Sequence, residues 1–169
     1  PISRERPGHW MALMLPVAAW QAGAHYRVDD LGGAAVTIIG PNRPAPQPAG
    51  TTLACSLHPL GLATPNLPPA VLDFSTEALG YPDAHAVWPV DDHDAAWSDA
   101  DGTRTHAELD AAPQSGRVLV RPSSAWQSLA DAVIGPLLGG GSAVVVDGEI
   151  DADALTRLAA SERVTSSMA

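Results

Sequence analysis

An α/β domain, layered, with a mainly parallel sheet flanked by helices, is what this sequence predicts. Short apolar runs rich in β-branched residues, Ala34 to Ile39, Thr52 to Leu57, Arg117 to Val120 and Ala143 to Val146, alternate with segments of helical periodicity. Parallel neighbours need crossover helices, so that alternation is the signature of the class. With 169 residues, 46% of them hydrophobic, the chain can bury one core and is too short for two large domains, so residues 1–169 read as a single unit.

The elements follow in order. Pro7 to Gly23 reads as a helix, with Trp10, Leu13, Val17 and Trp20 on one face, Met11, Met14 and Ala18 making the rest apolar, and Pro16 placed to kink or split it. The strand at Ala34 to Ile39 stops at Gly40-Pro41. The prolines at 41, 44, 46 and 48 with Gly50 then predict an extended, flexible connection over 41–50. A strand at Thr52 to Leu57 leads into the turn His58-Pro59-Leu60-Gly61. Val71 to Phe74 and His85 to Val90 read as strands around a short helical or turn segment at Thr76 to Leu79.

Five aspartates, Asp91, Asp92, Asp94, Asp99 and Asp101, mark 91–102 as a solvated acidic loop. Thr105 and Glu108 form a capping-box pattern that starts a short helix running to Ala112, and Ser124 with Gln127 form a second one. The second helix carries Leu129, Val133 and Leu137 on one face and is ended by Pro136 and Gly139 to Gly141. Ala143 to Val146 reads as the clearest buried strand. Asp151 and Asp153 open a last helix with Arg157 and Arg163 toward its end, suited to the macrodipole, and Val164-Thr165 begins a final strand.

Charge and composition exclude partners. Nine Lys and Arg against nineteen Asp and Glu leave a formal charge of −10, which repels a phosphate backbone, so no nucleic-acid partner is expected. Arg4, Arg6, the apolar run Trp10 to Trp20 and Ala22-Gly23-Ala24 imitate a secretory leader. That run is nonetheless far shorter than the roughly 20 residues a bilayer span needs, so the expectation is a cytoplasmic chain with no membrane partner. The lone Cys55, set in a predicted strand, reads as a small hydrophobe.

Several segments together resemble the large N-terminal domain of adenylate-forming enzymes, the acyl-CoA synthetase, luciferase and peptide-synthetase adenylation superfamily. Trp126-Gln127-Ser128-Leu129, then Ile134-Gly135-Pro136-Leu137-Leu138-Gly139-Gly140-Gly141-Ser142-Ala143-Val144-Val145-Val146, then Leu155 to Val164-Thr165 look like that superfamily's helix, turn-strand, helix and "VT" strand. Trp20-Gln21-Ala22-Gly23-Ala24 resembles the close of an earlier helix in the same enzymes. More narrowly, Ser56 to Leu62, Pro69 to Phe74 and Thr105 to Leu109 look like an actinobacterial family of short proteins, of unassigned function, related to those enzymes.

The departures from the superfamily pattern shape the functional expectation. The superfamily's triphosphate loop, rich in glycine and hydroxyls and carrying a lysine, ends in a Thr-His helix start that Thr105-His106 resembles. Upstream of that pair this chain has aspartates, which reverse the local field. The expectation is therefore a noncatalytic homologue of a truncated adenylate-forming domain that binds a protein or small-molecule ligand, most simply by homo-oligomerisation. The alternative is an AMP-forming acyl-activating ligase, or a nucleotide-binding subunit of one, that uses an altered loop or a partner chain. A metal-dependent hydrolase using Asp92, His93, Asp94 and His106 is a third reading, which fails the calcium-loop template. No catalytic, cofactor-binding or metal-binding residue is assigned; His58, Thr105, His106 and Trp126 are the candidates for ligand contact.

Overall fold

The computed structural model describes residues 2–29, 32–42 and 50–168. The chain begins with α1 (Ile2–Glu5), which the sequence reading missed, and α2 (Trp10–Gln21). α2 starts three residues later than Pro7 suggests because His9 caps it, its Nδ1 accepting from the Met11 N–H at 3.3 Å. It runs through Pro16 in one piece. Beyond it Gly23 adopts φ +68° while Ala24 N–H donates to the Ala19 carbonyl, the left-handed exit that glycine makes cheap. The apolar face is divided: Met11, Leu13 and Leu15 are buried, whereas Trp10 and Met14 are 42% and 50% exposed.

Among the described residues nine short strands follow, separated by four further α-helical segments. They are β1 (Tyr26–Arg27), β2 (Val36–Ile39), β3 (Thr51–Ala54), β4 (Val71–Asp73), α3 (Phe74–Ala78), β5 (Ala95–Asp99), β6 (Gly102–Thr105), β7 (Arg117–Val120), α4 (Ala125–Leu129), α5 (Gly135–Gly139), β8 (Ser142–Val145), α6 (Ala152–Ser161) and β9 (Ser166–Met168). In place of one layered sheet they make three three-stranded sheets, in the orders β1-β5-β6, β2-β3-β4 and β8-β7-β9. The second and third sheets are parallel throughout; in the first, β1 runs parallel to β5, and β5–β6 is an antiparallel hairpin. Proline and glycine punctuation keeps each strand to between two and five residues.

The structure corrects several expectations. His85 to Val90 is not a strand but an exposed strap, held to the end of α2 by the Trp88 N–H on the Gln21 carbonyl at 2.8 Å; Pro89 removes a donor that a ladder would need. From Ala95 onward the acidic loop 91–102 is a β-hairpin, in which Ala96 and Trp97 are buried and Ala100-Asp101 make the turn. The Thr105 capping box forms, with Glu108 accepting from the Thr105 N–H at 2.8 Å, but it closes only a single 3₁₀ turn, His106–Glu108, and not a helix to Ala112. Pro136 does not end its helix: a π turn over Ala130–Ile134 joins α4 to α5 and accommodates the ring, and Gly140 at φ +69° makes the stop. β8 is half-buried at a sheet edge, while β7 is the buried strand of that sheet. Of the proline-rich connection, 43–49 lies outside the described residues.

One large cluster gathers Ile2, Met11, Ala12, Leu15, Tyr26, Val28, Cys55, Trp97, Leu129 and Ile134, drawing on α1, α2, the first sheet and the α4 segment. The second sheet has its own small cluster of Ile39, Ala54 and Val71, with Leu67 against it. No helix among the described residues is long and apolar enough to cross a membrane.

Candidate functional site

The β5–β6 hairpin holds most of the side chains singled out in the sequence. Trp97 is fully buried; it stacks on Tyr26 with ring centroids 5.5 Å apart and meets Trp126 at the same separation, tilted by 57°. Its indole N–H donates to Asp99 at 2.8 Å, and the Tyr26 and Ser3 hydroxyls bond at 2.8 Å. Burial pushes the Tyr26 phenol up, against the Ser3 hydrogen bond. The Trp20 indole N–H donates to the Ala96 carbonyl at 2.8 Å and ties α2 to β5. Arg104 lies over the Trp126 ring at 4.3 Å and faces Asp99 at 3.8 Å.

Trp126 is therefore engaged on both sides, by Trp97 and by Arg104. Thr105, the chain neighbour of Arg104, and Glu108 bind each other, and those hydrogen bonds hold the Glu108 carboxyl below its ordinary value. His106 is partly buried; its backbone N–H and that of Ala107 donate to the Asp94 and Asp92 carbonyls at 3.0 and 2.9 Å. Three of the four candidates thus gather around the hairpin end. His58 does not join them: it follows β3, is exposed, and closes a turn by accepting the Leu60 N–H on Nδ1 at 3.1 Å.

The aspartates serve the backbone. Asp94 accepts from Asp91 N–H, Asp91 from His93 N–H and Asp99 from Asp101 N–H, at 2.8 to 3.0 Å. Among the described residues no three His, Cys, Asp or Glu side chains converge as metal ligands. Cys55 is buried, and burial with the Asp73 charge pushes its thiol up to about 12. Beside the hairpin a hollow of about 310 Å³ is lined by Asp101, Gly102, Thr103, Arg104, Glu108 and Asp110, three carboxylates against one guanidinium that already rests on Trp126.

Trp97 and Arg104 escaped the sequence reading, and Asp99 was read only as part of the acidic loop. Their signal was Asp101-Gly102, a turn-forming dipeptide separated by three residues from the apolar triplet Ala95-Ala96-Trp97. Compared with known proteins, the chain matches no protein-family model and has no significant similarity to a curated protein.

Proposed function

We propose that this chain is a noncatalytic relative of part of the N-terminal domain of adenylate-forming enzymes, working in the cytoplasm by binding another protein chain, in the first instance a second copy of itself. The observation that carries the binding half is the strap 79–90, in which every residue is exposed. Leu79, Tyr81, Val87 and Trp88 stand in it between 66% and 88% open to solvent. Apolar surface gathered in one segment is normally covered by a partner. The hollow beside the hairpin supports the noncatalytic half: Asp101, Glu108 and Asp110 oppose a polyanion, and Arg104 is committed to Trp126 and Asp99.

Sedimentation velocity over a wide concentration range tests the reading. The expected result is a mass that climbs above the monomer and falls back in a Leu79→Ser, Trp88→Ser double variant. A monomer at every concentration, with no change in the variant, contradicts it.

A further inference from the structure

A helix N-terminus leaves backbone N–H groups in need of acceptors, and in α2 one of them is met by an imidazole. His9 stands at the N-cap in extended backbone, φ −69° and ψ 137°, with its carbonyl accepting from the Leu13 N–H at 3.1 Å. Its Nδ1 accepts from the Met11 N–H at 3.3 Å. A backbone N–H only donates, so Nδ1 carries no hydrogen and the ring is the neutral tautomer protonated at Nε2. Ser, Thr, Asp and Asn, the usual N-cap residues, keep their acceptor throughout the neutral range; histidine loses its own when it takes a proton.

The surroundings set that proton uptake below the usual range. His9 is 6% exposed, and its Nε2 is buried with no hydrogen-bond partner among the described residues. Arg6, whose carbonyl accepts the His9 N–H at 3.0 Å, opposes a charge on the ring; Asp147, beyond β8, favours it but is already paired with Arg6 at 2.5 Å. The Leu57 carbonyl, beyond β3, also favours the charged ring without closing a hydrogen bond to Nε2. Burial and then Arg6 prevail, and the imidazole pKa lies below its ordinary value. The positive end of the α2 dipole acts in the same direction.

The turn that His9 holds carries Trp10, 42% exposed, whose ring sits over the turn following His58: a Cβ added at Gly61 would lie 3.3 Å from Trp10 Cζ2. Farther along, α2 is anchored independently by buried Leu13 and Leu15 and by the Trp20 indole on the Ala96 carbonyl. Loss of the cap therefore opens the first turn and leaves the rest of the helix in place. We infer that His9 is a proton-operated latch: a proton taken up at Nδ1 breaks the bond to Met11 and frees the first turn of α2, with Trp10, from its seat on Gly61. Nδ1 holds either the proton or the cap, never both. A histidine whose pKa is depressed by folding stabilises fully above its unfolded value of 6.5, and that contribution is lost as pH falls through the folded value. The latch works in a single copy and does not depend on self-association.

The test follows the isotope-labelled 169-residue chain and its His9→Asn variant by NMR from about pH 8 to about pH 5, with chemical denaturation over the same range. In the parent, the His9 ring and the Met11 amide should titrate together, with one midpoint below 6.5. In His9→Asn, which keeps a cap acceptor and cannot titrate, the Met11 amide should stay still. The parent's unfolding equilibrium constant should rise, relative to that of His9→Asn, by about fivefold or more as the pH falls, the loss expected for an N-cap acceptor. A ring midpoint at or above 6.5, a Met11 amide that does not follow the ring, or a variant with the parent's pH dependence overturns the latch. Should His9→Asn fail to fold, the two midpoints of the parent still decide.

Discussion

The two buried clusters sit against short parallel ladders, yet they hold very different amounts of side chain. The large one is organised around Trp97, stacked on Tyr26, tilted against Trp126 and joined by Met11, Leu129 and Ile134. The small one, on the β2-β3-β4 sheet, has Ile39, Ala54 and Val71, and that sheet also buries Thr37, whose hydroxyl has no partner among the described residues. The β-branched runs of β2 and β3 supply the smaller cluster, while the larger one combines the apolar α2 run with a Trp97 that comes from the most acidic stretch of the chain. Apolar content along the sequence is thus a poor guide to where packing energy resides, because one indole in the right place outweighs several aliphatic side chains.

Substitutions can sharpen or break that contrast. Trp97→Ala should cost about 3–5 kcal/mol in chemical denaturation, enough to unfold a marginal domain; a loss no larger than that of an average surface change would remove the hairpin from the core. Val71→Ala, in the small cluster, should cost only about 1.5 kcal/mol from the lost apolar burial. A loss equal to that of Trp97→Ala would erase the contrast.

Asp73 sits at the end of the weaker sheet and caps α3, accepting from Thr76 N–H at 2.8 Å and from Thr64 N–H at 2.7 Å. Partial burial pushes its carboxyl up, and these hydrogen bonds more than reverse that, so its folded pKa lies below the ordinary value. A depressed carboxylate stabilises fully above its unfolded pKa, and that contribution disappears as pH falls through the folded one. Asp73→Ala should therefore cost about 1 kcal/mol near neutrality, with the difference from the parent shrinking in acid. A difference that stays constant or grows as the pH drops would show that the cap is not the cause. The smallest effect has the opposite sign: Thr37→Val removes the unpaired hydroxyl and should raise stability by up to about 1 kcal/mol, seen as a higher denaturation midpoint.

Locally encoded features were legible from sequence. Arg117 to Val120 and Ser142 to Val145 are strands, Asp151 caps α6, and Glu108 reaches back to Thr105, because strand-forming runs and caps are written in residues within a few positions of one another. What failed was set by distant partners. His85 to Val90 has the composition of a strand but pairs with no strand among the described residues. Asp91, Asp92, Asp94 and Asp101 are exposed, as their charge suggests, but composition does not show that carboxylates of this stretch hold backbone turns beside an inward-facing Trp97. Pro136 looked like a helix end because a π turn cannot be read from composition. Around the candidate site, Thr105, His106 and Trp126 were visible individually. The stacking of Arg104 on Trp126 brings together residues 22 positions apart, which no periodicity encodes.

The hairpin packs into the core, and the proposed noncatalytic role requires that the hollow beside it be too negative to hold a nucleoside triphosphate. Calorimetric titration of the 169-residue chain with ATP and magnesium addresses this most directly. No saturable heat at millimolar nucleotide is the expected result. Tight, stoichiometric ATP binding that is lost when Arg104 is replaced would contradict it.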